Sequence, residues 1–167
     1  LSEDQETRSH ALNQLEAGVD RASHLVDQLL RLARLDPLAT LPKSASFDLG
    51  EATRETIASV LESLSEPAHD IDIDIPDKPV IIDGDRDLVK ISIRNLIDNA
   101  LRYTPAGGSI GIKIVQKEAV LSLTVTDSGP GVPENELPNL ARRFYRGREN
   151  VVEGNGLGLA IVSRIAE

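Results

Sequence analysis

Three groups of residues in this chain are of types that could do chemistry. The first is Asn95, Asn99 and Tyr103, spaced four apart. On a helix, positions i, i+4 and i+8 share a face, so two amides and a phenol stand in line. Asparagine is a poor helix former, and two in one mid-helix row need a reason. They are either polar caps over a core or amide oxygens held for a hard cation. The second group is Asp127 with the Ser128-Gly129-Pro130-Gly131 that follows it. Strand alternation sends Leu121, Leu123 and Val125 toward the core, and the same parity carries Asp127 onto that face at the strand's end. A carboxylate buried there must be satisfied, either by the backbone of its own turn or by a ligand amine, and the glycines after it would let a flat ligand approach. The third group is Gly154-Asn155-Gly156-Leu157-Gly158, at the start of the last helix. Glycines leave the N–H groups bare at the positive end of a helix, which suits an anion. The same pattern also occurs in ordinary loops, and the Lys-Ser/Thr of a P-loop is absent.

The elements that must position these groups follow from periodicity. Residues 86–102 read as a helix capped by Asp85, with Val89, Ile93, Leu96 and Ala100 as its buried stripe beside the Asn row. Before it, 49–64 reads as an amphipathic helix with Ile57, Val60, Leu61 and Leu64 inward. Next come a strand at 69–75 with Ile71, Ile73 and Ile75 on one face, and a short strand at 80–82. Asp72 and Asp74 on the opposite face read as the wet side of a sheet rather than a metal site. Two alternating strands, 109–115 and 120–126, are joined by a turn near Lys117-Glu118, and a final helix covers 157–166. Helices and antiparallel strands in blocks predict an α+β, two-layer sandwich: a mixed sheet with helices on one face. Upstream, Leu12, Leu15, Val19, Ala22, Val26, Leu29 and Ala33 recur every three or four residues. That is a coiled-coil seam needing a partner helix, and Pro37 and Pro42 mark a linker after it.

Composition narrows the field. With 167 residues, 40% of them hydrophobic, and only Phe47, Tyr103, Phe144 and Tyr145 aromatic, the core must be aliphatic. The absence of Cys excludes a disulfide framework, a thiolate nucleophile and Cys-based zinc sites. A net charge of −9 argues against nucleic acid as the main partner. Charge is uneven, however: Arg142, Arg143, Arg146 and Arg148 crowd a stretch without acids, either a solvated loop or an attractor for a small anion. No run is long and apolar enough to span a membrane, and the lack of any Met leads us to expect a fragment of a longer protein.

The order of these motifs resembles one family. Residues 95–105 (Asn-Leu-Ile-Asp-Asn-Ala-Leu-Arg-Tyr-Thr-Pro) resemble the N box of bacterial sensor histidine kinases. Asp127-Ser128-Gly129-Pro130-Gly131 resembles their G1 box, Arg143-Phe144-Tyr145-Arg146 the F box, and residues 154–159 the G2 box. Residues 18–36 resemble the second helix of the dimerisation and histidine-phosphotransfer domain, and the likeness leans toward QseC-like kinases. The resemblance implies the gyrase/Hsp90-type ATP-binding fold over 47–167, a partial dimerisation domain over 1–36 and a linker over 37–46.

It also implies ATP and Mg2+ as ligands. Asn99 would hold the metal, with Asn95 a lesser candidate, and Asp127 would accept from the adenine amino group. Tyr103 would pack on the base. Arg102 stands where many relatives place a phosphate-contacting Lys. Gly156, Leu157 and Gly158 would offer N–H groups to phosphate, with Gly129, Gly131, Tyr145 and Gly154 completing the nucleotide site. The stretch 132–153 would be a lid whose Arg143 and Arg146 stabilise charge during transfer. By the same resemblance the parent is an inner-membrane protein with this part in the cytoplasm, dimerising through the N-terminal helix and passing phosphate to an OmpR-type response regulator.

Two departures bear on activity. The His-Glu-Leu-Arg type of H box is missing: His10 and His24 read as solvated helix positions, and His69, at the start of a strand, has no role in this reading. A fragment without the acceptor His is expected to bind ATP but not to phosphorylate itself. The chain also stops one helix after the G2 box, where relatives add a final strand pair, so the domain is expected to be truncated at its C-terminus. Gyrase-, Hsp90- and MutL-type ATPases place a Glu general base where this chain has Asn95, and an amide cannot take a proton, which disfavours hydrolysis. A dimerisation module with a vestigial pocket is the remaining alternative.

Overall fold

The computed structural model describes residues 44–64, 68–118, 120–145 and 156–166. The coiled-coil seam and most of the linker lie outside them.

Strand β1 (Ala45–Asp48) runs into helix α1 (Leu49–Glu62). Strands β2 (Asp70–Asp74) and β3 (Ile81–Gly84) precede the long helix α2 (Arg86–Tyr103). Strands β4 (Ser109–Lys117) and β5 (Val120–Asp127), a 3-10 turn at Leu137–Asn139 and helix α3 (Gly158–Ala166) complete the order. β4 is the central strand of a three-stranded mixed sheet, parallel to β2 and antiparallel to β5, while β1 and β3 form a separate antiparallel pair. This is the expected α+β sandwich. Its core is aliphatic: Ile110, Ile112 and Ile114 point from β4 into a layer made by Ile57 and Val60 of α1 and Ile93, Ile97 and Ala100 of α2.

Local chemistry explains the element ends. Asp85 caps α2, its carboxylate accepting from the N–H groups of Asp87 (3.0 Å) and Leu88 (3.2 Å). Glu118, with φ 53°, makes the expected turn between β4 and β5. Across the helices, Arg86 and Lys90 of α2 grip the Glu55 carboxylate of α1 at 2.7 and 2.9 Å. Lys90 first and Arg86 second hold that carboxyl below its ordinary value, but the groups are half exposed and the clamp adds little to stability.

Four details differ from the reading by periodicity. β1 begins at Ala45, inside the predicted linker, because its pairing with β3 is non-local: Phe47 faces Ile82. The next strand starts at Ile81 rather than Val80. The N–H of Val80 goes to Asp48 Oδ1 (2.9 Å) and its carbonyl accepts from Leu49 N (2.9 Å), so it serves as a stitch to α1. On α2 the deeply buried residues are Ile93, Ile97 and Ala100, with Leu96 on the shoulder. Ile73 and Leu61, expected inward, are 44% and 36% exposed. Among the described residues β2 has a neighbour on one side only, and Leu61 lies in the last turn of α1.

Asp48 carries a stability prediction. Its Oδ1 also caps α1 through Gly50 N (2.9 Å), so one carboxylate serves both the helix and the β1/β3 junction. The Val80 N–H chiefly, then those of Gly50 and Glu51 and the Arg54 charge, hold its pKa below the ordinary 3.8, against a smaller opposing effect of burial. A depressed carboxylate stabilises above its unfolded value, and that contribution disappears as pH falls through 3.8 toward the lower folded value. Asp48→Ala should therefore cost about 1–2 kcal/mol at pH 7. In chemical denaturation, the gap from the parent chain should narrow below about pH 4; a gap constant from pH 7 to 3 would contradict the role.

Candidate functional site

The Asn row of α2 faces the start of α3. Asn95 ties its Nδ2 to the carbonyl of Ile91 (2.9 Å), and its Oδ1 is directed toward the start of α3. A Cβ added at Gly158, the first residue of α3, would stand 3.2 Å from Asn95 Oδ1 and 3.6 Å from Asn99 Nδ2. The lack of a side chain there thus lets the start of α3 pack close against two half-buried amides. Leu157 and Ile161, 1% and 0% exposed, anchor α3 beside α2 and fix that juxtaposition.

The lid-side residues meet the same loop. Gly156 (φ +62°) accepts from Phe144 N at 2.8 Å, and a Cβ on it would be 2.6 Å from Tyr145 O. The Phe144-Tyr145 backbone is therefore seated on a glycine. Phe144 itself has φ 63°, rare for a bulky residue, and its ring is 64% exposed. Arg142 holds Asn139 Oδ1 at 3.0 Å, and Arg143 is exposed. Arg146, Arg148 and Gly154 lie outside the described residues.

The other end of α2 meets the Asp127 loop. Arg102 is exposed in the last turn and Tyr103 is half-buried. Asp127 pairs with Ile110 at the end of the ladder, and its Oδ1 accepts from Gly129 N at 2.8 Å. The expectation of a buried carboxylate is corrected here: Asp127 is exposed, because strand parity gives the face but the ladder ends at this residue and none of the described residues covers it. The turn satisfies one carboxylate oxygen with its own backbone and leaves the group facing outward. Gly129 passes against the helix end, where a Cβ would be 2.8 Å from Tyr103 O, and Gly131 (φ +73°) turns in open space.

The structure also ties in Ser128, Thr104 and Gly108, to which the motif reading gave no role in the site. Ser128 Oγ accepts from Ser109 N (2.9 Å), and a Cβ on Gly108 would lie 2.7 Å from that Oγ and 2.5 Å from Thr104 Cγ2. The Gly107-Gly108 pair after Pro105 was the available sequence signal. Among the described residues no group of three or more His, Asp or Glu could hold a metal.

The described site thus consists of two amides of α2 beside the glycine that starts α3, with an outward carboxylate by the C-terminal end of α2. Residues 84–167 match the family model of histidine kinase-, DNA gyrase B- and HSP90-like ATPases. Sensor protein QseC of Salmonella typhi is 40% identical over 160 residues, which are 96% of this chain and 35% of that protein. The chain belongs to this ATPase family, as the ATP-binding catalytic domain of a sensor histidine kinase.

Two solved structures extend the likeness. The cytoplasmic segment of histidine kinase QseC is 28% identical with a TM-score of 0.56, covering 89% of this chain and 78% of that one. Full-length ShkA in complex with AMPPNP is 26% identical with a TM-score of 0.75, covering 96% of this chain and 34% of that one. The chain spans about a third of the length of the curated relatives it matches.

Proposed function

We propose that the α2/α3 junction binds the phosphates of Mg2+-ATP and that the Asp127 loop takes the adenine. In the whole protein the γ-phosphoryl then passes to a histidine of a dimerisation helix and on to an aspartate of an OmpR-type response regulator. The observation that carries the reading is the close approach of the two amides to the start of α3, where a Cβ on Gly158 would come within 3.2 Å of Asn95 Oδ1 and 3.6 Å of Asn99 Nδ2. The AMPPNP complex of ShkA supports it. Amide oxygens beside bare helix N–H groups fit a hard cation shared with phosphate, so Asn99, with Asn95 beside it, would hold Mg2+. When bound, the ion supplies neutralisation of phosphate charge.

The chain's own groups do the rest. Asp127 accepts from the adenine amino group, Tyr103 packs on the base, and Gly129 and Gly131 let it approach. Gly154, Gly156, Leu157 and Gly158 present N–H donors, while Arg102, Arg143, Arg146 and Tyr145 close on the phosphates. In the transfer the bond from the γ-phosphorus to the bridging oxygen breaks, ADP leaves with that electron pair, and an imidazole nitrogen forms the new bond. Asn95, lacking a basic oxygen, leaves water unactivated and favours transfer over hydrolysis. The seam from Leu12 to Ala33 would join two parent chains as a homodimer. No helix among the described residues is long and apolar enough to cross a membrane, and we place this part on the cytoplasmic side of an inner-membrane parent.

Calorimetric titration with ATP, with and without Mg2+, tests the reading. Asn99→Ala should weaken Mg2+-ATP about tenfold and metal-free ATP far less. Equal losses would refute the metal role, and no binding by the parent chain at millimolar ATP would leave only a dimerisation module with a vestigial pocket.

A further inference from the structure

His69 sits half-buried just before β2, and its Nε2 lies 3.0 Å from the carbonyl oxygen of Thr104, the residue that ends α2. A carbonyl only accepts, so Nε2 carries the hydrogen and donates. Thr104 is itself 5% exposed, and both its N–H (3.0 Å) and its hydroxyl (2.6 Å) go to Ala100 O. Its peptide is therefore locked to the helix from one side and to His69 from the other.

Two further bonds join the same segments, Gly107 N to Ala68 O (2.7 Å) and Asp70 N to Gly108 O (3.0 Å), but both are backbone bonds. Only the His69 link depends on a side chain. The preceding carbonyl, that of Tyr103, is the surface against which Gly129 rests, and Gly129 N is what Asp127 Oδ1 holds. A continuous chain of contacts thus runs from the His69 ring through the end of α2 to the Asp127 carboxylate. The Asn95/Asn99 end of the site lies one to two helical turns away and does not share it.

We propose that His69 is a positioning residue for the base end of the nucleotide site, setting through the end of α2 where the Asp127 carboxylate stands. The inference rests on the nucleotide reading and adds a determinant of base recognition that lies outside the binding motifs. His69→Phe keeps the ring without the donor, and His69→Asn is too short to reach Thr104 O. Both should weaken ATP about tenfold and move the ATP-over-GTP affinity ratio toward one. His69→Gln, whose amide N–H reaches about as far as Nε2, should restore both within about threefold.

In an Asp127→Ala background, His69→Asn should cause no further loss of ATP affinity, since the group it positions is gone. Calorimetry on the full chain measures all of these. Parent-like ATP affinity in either donor-less variant, equal proportional losses for ATP and GTP, or additive losses in the double variant would overturn the proposal. Absence of ATP binding by the unaltered chain would instead overturn the nucleotide reading, and this inference with it.

Discussion

Gly129→Ala is expected to lower ATP affinity roughly tenfold to a hundredfold, the loss of a hydrogen bond to a charged acceptor, while the chain stays folded. The reason is steric and local. A Cβ at this position would lie 2.6 Å from Asp127 Oδ1 and 2.8 Å from Tyr103 O, distances that real contacts do not tolerate. The Tyr103 carbonyl cannot yield, because the next residue is fixed by three hydrogen bonds, two to Ala100 O and one from His69. The loop must move instead, breaking the Gly129 N to Asp127 Oδ1 bond and carrying the carboxylate with it. Gly131→Ala is the internal control, since its positive φ costs about 1–2 kcal/mol of backbone strain but its Cβ would meet nothing within 4 Å. Calorimetry with ATP, beside a thermal melt to verify folding, reads the result. An alanine at 129 that binds ATP within a factor of three of the parent would refute the assignment of this loop to the site.

Asp127→Asn should change which base is accepted. The carboxylate presents two acceptor oxygens, one committed to Gly129 N and the other free for an exocyclic amino group. Asparagine can keep the internal bond with its single oxygen, but then turns an NH2 toward the ligand, donor against donor. Hydrogen bonds to a charged acceptor contribute about 1.5–3 kcal/mol, so ATP affinity should fall roughly tenfold to a hundredfold. Guanine, with a carbonyl at the corresponding position, should lose less or gain. Competition between ATP and GTP for the variant decides the matter, and an unchanged preference for ATP would remove Asp127 from base recognition.

What could be read from the sequence follows the range of the interactions. The Asn95, Asn99 and Tyr103 row was legible because helical spacing alone puts those side chains on one face, and Asp85 was legible as a cap because its partners are two and three residues away. The Asp127 turn was half legible. Parity gave the strand face, but the end of the ladder and the contact of Gly129 with Tyr103 depend on a helix more than twenty residues upstream. β1 was hidden for the same reason: Ala45-Ser46-Phe47 follows two prolines, and only pairing with β3 across more than thirty residues makes it a strand. Val80 reads as the start of a strand from its type, yet Asp48 claims its N–H. The base end of the site is thus the part least visible from local pattern, and it is where His69 acquires a partner.

The three aspartates on the outer face of β2 have a consequence for how the chain behaves in a crowd. Among the described residues β2 has an open edge, a template for another copy, and the partly bare side chain of Ile73 stands beside it. If two such strands met antiparallel, centred on Asp72, Asp70 of each copy would stand opposite Asp74 of the other, and Asp72 opposite itself. Like charges so placed repel. Lys113 engages Asp74 from the neighbouring strand of its own chain, so a second molecule meets a carboxylate whose counter-ion is already taken. The acidic stripe therefore works as a guard against edge-to-edge pairing of two copies.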